Sequence, residues 1–302
     1  MNEETKTMTQ ETQNREEFIM LPTVDFCFKE LMQNARVRQG MIAALLGVEP
    51  EEIEETILLP TILHTEYPDD KYGILDVKVI LKNETQMDFE MQVTAVSYWT
   101  KRILFYLGKM YTDQLKAGES YDKLKKCIHV GILDFIHFPD DDRCYRKIIF
   151  CDKDTGKEYT DLLEIHVLEL KKLPEKEQNE SGIIRWMRFL GAKSRKEFEK
   201  MAKEDSYIGE AYEMLKHMSA DEKKRLEYEA REKAIRDYHS QMQASREEGR
   251  KEGREEGKKE GKKEGVASII TNMLRKGKSP EEIADMTGED LEEIQEIQKQ
   301  LL

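Results

Sequence analysis

The chain has little of what marks a metal-stapled or membrane protein. Its 302 residues include four cysteines, Cys27, Cys127, Cys144 and Cys151, and no two of them form a CxxC pair. That spacing argues against a zinc site and predicts reduced, mostly buried thiols in a cytoplasm. Long apolar runs are missing too. The longest, MIAALLGV at 41–48, is far too short to span a bilayer. The opening MNEETKTMTQETQNREEF has no basic start and no apolar stretch, so no secretory signal is read there. Net positive charge is also absent. The formal charge of −13 argues against indiscriminate polyanion binding, because affinity for phosphates comes from Lys and Arg. The expectation is a cytoplasmic protein without membrane segments. Its 38% of hydrophobic residues suffice for one good core plus appendages.

What is present is unevenly distributed. Residues 98–126 hold Lys101, Arg102, Lys109, Lys116, Lys123, Lys125 and Lys126 against only Asp113, Glu119 and Asp122. Just before this basic stretch comes DVKVILKNETQMDFEMQV, residues 76–93, which reads as a hairpin joined by the polar run KNETQ. Period-2 alternation puts Met87, Phe89, Met91 and Val93 on one face of the second arm and Asp88, Glu90 and Gln92 on the other. On the first arm Leu75, Val77, Val79 and Leu81 form an apolar face. Ile74, Asp76, Lys78 and Ile80 form a mixed one. Two readings fit: an amphipathic hairpin with one wet face, or a divalent-metal site.

The surrounding order predicts a mixed α/β sheet whose crossover helix follows the acidic hairpin. Residues 24–47 show helical apolar spacing and stop at Gly47. ETILLPTILHTEY is strand-like around Pro60. Residues 98–118 read as an amphipathic helix ending at Gly118, and CIHVGILDFIHF (127–138) reads as a central strand buried on both faces. YRKIIFCD and DLLEIHVLEL add two further strands. From about residue 175 the texture becomes helical. Residues 219–249 suggest a long exposed helix with Ser219 and Glu222 as a capping box. Glycines 249, 253, 257, 261 and 265 then recur every four positions. Glycine costs a helix about 1 kcal/mol per site relative to alanine. This stretch reads as a weak helix or a charged tether, with a glycine-mediated self-association seam as the second option. In the last segment Ser279, Pro280 and Glu282 make a capping box and Gly288 a stop. Its helix–turn–helix outline carries Glu292, Glu293 and Glu296 where DNA phosphates would sit, which favours a small docking or dimerising module. The expected divisions are 1–19, a disordered tail; 20–172, a core; 173–245, a helical region; 246–265, a repeat linker; and 266–302, a small helical module.

Phosphodiester hydrolysis by metal needs hard oxygen ligands from one or two carboxylates and open positions for water and phosphate. Asp76 and Glu90, on paired strands, meet that need. Gln92 shares the face of Glu90, where it would orient water or contact phosphate, and Lys78, beside Asp76, is a second candidate. Together ILDVKV, the EMQV strand, VDFCFKELM, KRILFYLGKMYTDQLKAGESYDKLK, the strand CIHVGILDF and the RKGKSPEEIADMTGED tail resemble the recombination-promoting nucleases of the Rpn type, also described as transposases, within the PD-(D/E)XK superfamily. The resemblance covers most of residues 20–170 and more loosely the C-terminus. It implies a restriction-endonuclease-like mixed sheet flanked by helices, followed by an α-helical C-terminal extension. It further implies a Mg²⁺-dependent DNA endonuclease that promotes recombination, with Asp76 and Glu90 as metal ligands. Gln92 stands where the superfamily usually has lysine, and an amide cannot act as a base. The PD dipeptide is absent: residue 75 is Leu, and Pro68-Asp69 falls outside the strand.

Around these residues the single-residue readings stay open. Asp25 supplies a further acidic contact, or it or Thr23 caps its helix. Lys29 is an accessory group, a solvated residue or a partner for Asp25. Lys101, Arg102 and Lys109 contact DNA phosphates or form surface ion pairs. Tyr98, Trp99, Phe105, Tyr106 and Tyr111 read as core rather than as base-stacking platforms, and no histidine is assigned to metal. The alternative function is a non-catalytic, DNA-associated or self-assembling protein, a homo-oligomer acting through its C-terminal helices.

Overall fold

A computed structural model describes residues 18–61, 75–175 and 180–301. Residues 1–17 of the expected tail, Ile74 and Pro68-Asp69 lie outside the described residues, whereas Ile19 is buried and Phe18 packs against the core. The chain divides into two compact units, Met1–Ala234 and Ile235–Leu302.

The first unit is built on a mixed sheet of six strands among the described residues: β1 (Thr56–Leu59), β2 (Val77–Leu81), β3 (Gln86–Gln92), β4 (Cys127–Leu133), β5 (Tyr145–Cys151) and β6 (Glu158–Glu169). Their spatial order is β1-β2-β3-β4-β6-β5. β1, β2 and β3 run antiparallel, β4 lies parallel to both β3 and β6, and β5 returns antiparallel on the edge. All seven residues of β4 are buried, as its unbroken apolar run requires for a strand covered on both faces. The expected α/β mixed sheet is therefore what the chain forms.

The helix expected over 24–47 is two helices, α1 (Asp25–Gln33) and α2 (Ala35–Leu46). Asn34 divides them: it adopts extended backbone, and its side chain accepts the N–H groups of Arg36 and Val37, opening a new helix. Arg38 reinforces the joint by donating to the carbonyls of Met32, Gln33 and Thr56. The residue preceding α1 is Val24, without a side-chain cap, so neither Thr23 nor Asp25 caps it. Gly47 ends α2 in the left-handed region, φ 71°.

The crossover helix α3 (Trp99–Thr112) stops six residues short of Gly118. Gln114 explains the early stop. Its amide bridges to Lys125, accepting that residue's N–H at 2.8 Å and donating to its carbonyl at 3.0 Å, so the chain is pulled back toward β4. Against one sheet face α3 packs Trp99, Ile103, Leu107 and Met110. Against the other, Val77, Val79, Met87, Phe89, Met91, Ile128, Val130 and Ile132 join the main core. The same core takes in residues of α1, α2 and three further helices: α4 (Gly182–Gly191), α5 (Arg195–Ala202) and α6 (Ser206–Ala220).

Ser219 lies inside α6 and does not cap the long helix α7 (Glu222–Arg275); Asp221 does, accepting the N–H of Lys224. Buried Ser219 instead accepts the Met20 N–H at 2.9 Å and donates to the Leu215 carbonyl at 2.6 Å. Ser219→Ala would strand the buried Met20 N–H. It is expected to cost about 1–3 kcal/mol, read from the urea midpoint of the full chain.

The second unit has its own small core, in which Ile270, Ile283 and Ile294 are buried among Val266, Met273, Leu274, Ala284 and Ile297. Its last helices are α8 (Pro280–Thr287), with the Ser279–Glu282 capping box and Gly288 stop as expected, and α9 (Leu291–Leu301). The glycine repeat is helical and exposed within α7. All four cysteines are free: Cys27 and Cys127 are buried, Cys144 is half-buried, and Cys151, on the edge strand, is exposed rather than buried.

Candidate active site on the β2–β3 hairpin

The polar connection between β2 and β3 turns at Glu84, a non-glycine residue at φ 65°. The Asn83 side chain accepts the N–H of Thr85 there. The turn fixes a register in which Lys78 faces Asp88 and Val77 faces Phe89. Asp76, one residue before β2, is fastened to β3 because its Oδ2 accepts the Met91 N–H at 3.2 Å. Its Oδ1 lies 2.9 Å from Lys29 Nζ, reaching over from α1. Asp25 is placed elsewhere, 2.9 Å from Arg231 and 3.8 Å from Lys29.

Glu90 is nearly enclosed. Its Oε1 receives Arg102 Nη2 at 2.5 Å, and the same nitrogen donates to Gln92 Oε1 at 2.7 Å. Gln92 Nε2 donates to the Thr94 carbonyl at 2.8 Å, which sets the amide's orientation. Glu90 Oε2 is buried with no hydrogen-bond partner. Burial raises the Glu90 pKa, while the positive charges of Arg102 and His129 work against the rise and the neighbouring Asp76 and Asp88 add to it. Beside Glu90 in the β3–β4 register is Gly131, where an added Cβ would stand 2.7 Å from Trp99 Cζ2. A glycine is needed there because the indole lies directly on the strand.

The two basic helix residues beside Arg102 fare differently. Lys109 lies 3.7 Å from Asp113, and Lys101 is exposed. Lys78 faces toward Asp88, Asp113 and Cys127; burial lowers its pKa and those three groups oppose the shift. So Asp76, Glu90, Gln92, Lys29 and Arg102 form one connected group. Asp25 borders it through Lys29 while pairing more closely with Arg231, and Lys109 stands apart in its ion pair with Asp113.

Sequence reasoning assigned no role to three residues around this site. Asp88 and His129 are fully buried, with Asp88 Oδ2 2.7 Å from His129 Nδ1. Asp88 shares the alternation of Glu90 and Gln92, so its position was visible, but its partner sits on a strand 41 residues away. Tyr106 is the third: its pKa is raised by burial first and then by the charge of Glu90.

The profile of the family described as PD-(D/E)XK nuclease family transposase matches residues 22–245, well over half of the chain. The chain belongs to this family. No curated protein and no solved structure matches it. As a PD-(D/E)XK nuclease family transposase it is of a kind that generally uses divalent metal ions and binds DNA. Among the described residues no group of three or more His, Cys, Asp or Glu is arranged around a metal position. The donor set nevertheless suits a hard cation that keeps several waters, since such ions are held by one or two carboxylates. A PD-(D/E)XK nuclease family transposase here offers Asp76 and, beside it, an enclosed Glu90 oxygen that accepts no hydrogen bond. Residue 75, where the family's proline would stand, is a buried Leu packed with Leu107 and Met110. No described helix is long and apolar enough to cross a membrane.

Proposed function

We propose that the protein is a Mg²⁺-dependent DNA endonuclease of the recombination-promoting type, with Asp76 and Glu90 as the metal ligands. The observation that carries this reading is the buried, unpartnered Glu90 Oε2 next to Asp76. A buried carboxylate oxygen without a partner carries an uncompensated desolvation cost, which a cation held with Asp76 would offset.

When bound, the cation supplies an activated water and neutralises charge that builds on the phosphate. The chain's own side chains do the rest. Lys29 holds Asp76 from α1, and the Met91 N–H fixes its second oxygen. Arg102 orients Glu90 and is itself aligned by Gln92. Its guanidinium, partly exposed, would donate to a phosphate oxygen. Gln92 cannot accept a proton as a base, and its role is to position Arg102. Lys78, which lies toward Asp88, Asp113 and Cys127 and whose positive form burial disfavours, takes no part in this scheme. Lys101 and Lys109 continue the phosphate track along α3.

The test is conversion of supercoiled plasmid to nicked circles by the full chain with Mg²⁺ or with EDTA. Nicking that needs the metal is expected. No cleavage with any divalent cation by a folded protein would discard the enzyme reading. It would leave the alternative, a non-catalytic self-assembling protein acting through α7–α9.

A further inference from the structure

The basic helix α3 does more than track phosphates. Tyr98 and Phe105 are 56% and 40% exposed, against the expectation that both would be core, whereas Trp99 is fully buried. They are seven positions apart, about two turns and roughly 10 Å along one helix face. Between and beside them on that face stand exposed Lys101, Arg102, paired with Glu90, and Lys109, paired with Asp113. From Tyr98 to Thr112 there is no Asp or Glu, in a chain whose acids outnumber its Lys and Arg by 13. Arg102 joins this surface directly to Glu90 and Gln92.

We propose that Tyr98 and Phe105 form a stacking platform for unpaired bases of a DNA strand entering the site, so that the substrate is DNA with a single-stranded stretch at the point of cleavage. Exposed aromatics interleaved with cations are how a strand is held without sequence readout: the bases stack and the cations follow the phosphates. In an intact duplex the base faces are stacked on each other and cannot reach the rings. The occupant is set by charge as well as shape. An acid-free helix in an acidic protein suits a polyanion, and a second copy of this chain, itself at −13, is the poorer match. The position of the platform rests on the nuclease reading, but its binding does not.

The test is fluorescence anisotropy with the full chain in EDTA, where no cleavage occurs. Three probes are compared: a thymidine oligonucleotide, the same length in duplex form, and an abasic strand of equal charge. The wild type is expected to bind the thymidine strand about tenfold or more tightly than the other two. Tyr98→Ala with Phe105→Ala should remove most of that preference, a loss of about tenfold or more given the usual strength of base stacking on aromatics. Both rings are exposed, so an unchanged melting temperature serves as the folding control. Equal binding of abasic and thymidine strands, or an unchanged preference in the double variant, overturns the platform. So does a double variant whose sole change is its sedimentation, which would make the patch a contact between copies. Plasmid nicking separates the two ideas. Nicking without a stacking preference sinks the platform alone, and a stacking preference without nicking sinks the nuclease alone.

Discussion

Glu90→Gln is expected to lower metal-dependent nicking by roughly 10³-fold while the protein stays folded. Losing one of two ligand carboxylates removes several kcal/mol of charge stabilisation at the transition state, and each 1.36 kcal/mol is a factor of ten in rate. The amide keeps the shape of the side chain and can still accept from Arg102, so the bond at 2.5 Å is weakened rather than lost. What disappears is the negative charge beside Asp76. Burial already raises the Glu90 pKa, so wild-type activity should fall on acidification earlier than an ordinary glutamate would predict. Asp76→Ala should match Glu90→Gln in rate and additionally leave Lys29 paired with Asp25 alone. Plasmid nicking at saturating Mg²⁺, with circular dichroism as the folding control, checks both. Cleavage within tenfold of wild type in Glu90→Gln would mean that this carboxylate is not a ligand.

Asp88→Ala is expected to destabilise the first unit by about 3–5 kcal/mol, the usual result of removing one partner of a buried ion pair. Asp88 and His129 have no solvent exposure, and among the described residues their 2.7 Å contact is the one side-chain hydrogen bond either makes, Asp88 Oδ1 and His129 Nε2 being buried without a partner. Burial works against a charged His129, but the charge and hydrogen bond of Asp88, with help from Glu90, outweigh it and raise the pKa. A raised folded-state pKa has a definite sign. The pair's contribution is fully present below the unfolded histidine value, about 6.5, and is lost as pH rises through the folded value. Urea midpoints of the wild type should therefore fall between mildly acidic and alkaline pH. In Asp88→Ala that slope should flatten. A variant as stable as wild type at low pH would show that the pair carries no net stabilisation.

Much of this was legible because the signals were local. The alternation in DFEMQ gave both faces of β3, and the apolar run of β4 gave its burial. The cap at Ser279 is set within one turn. The misses share a different cause. The apolar spacing of 24–47 continues across Asn34, so nothing in the periodicity reveals that its side chain caps a second helix. The end of α3 depends on Gln114 meeting Lys125, a pairing that exists only after β4 has docked. Arg102 could be placed on a basic helix, but its engagement with Glu90 and Gln92 depends on how α3 lies across the sheet. Tyr98 and Phe105 were misjudged because aromatic content alone does not tell which side of a helix meets the core. Only the burial of Trp99, Ile103, Leu107 and Met110 fixes that.

The glycine repeat in α7 has a consequence for how long the protein lasts in one piece. Each of its five glycines weakens the helix by about 1 kcal/mol, and a Cβ built at any of them meets nothing within 4 Å, so no packing offsets the loss. Local opening is easiest where exposed backbone bonds have no tertiary support. Lysine or arginine follows four of these glycines directly. A protease with a taste for basic residues would therefore find its cut sites in the stretch that opens first. Turnover would then begin by severing the polypeptide between two cores that both remain folded.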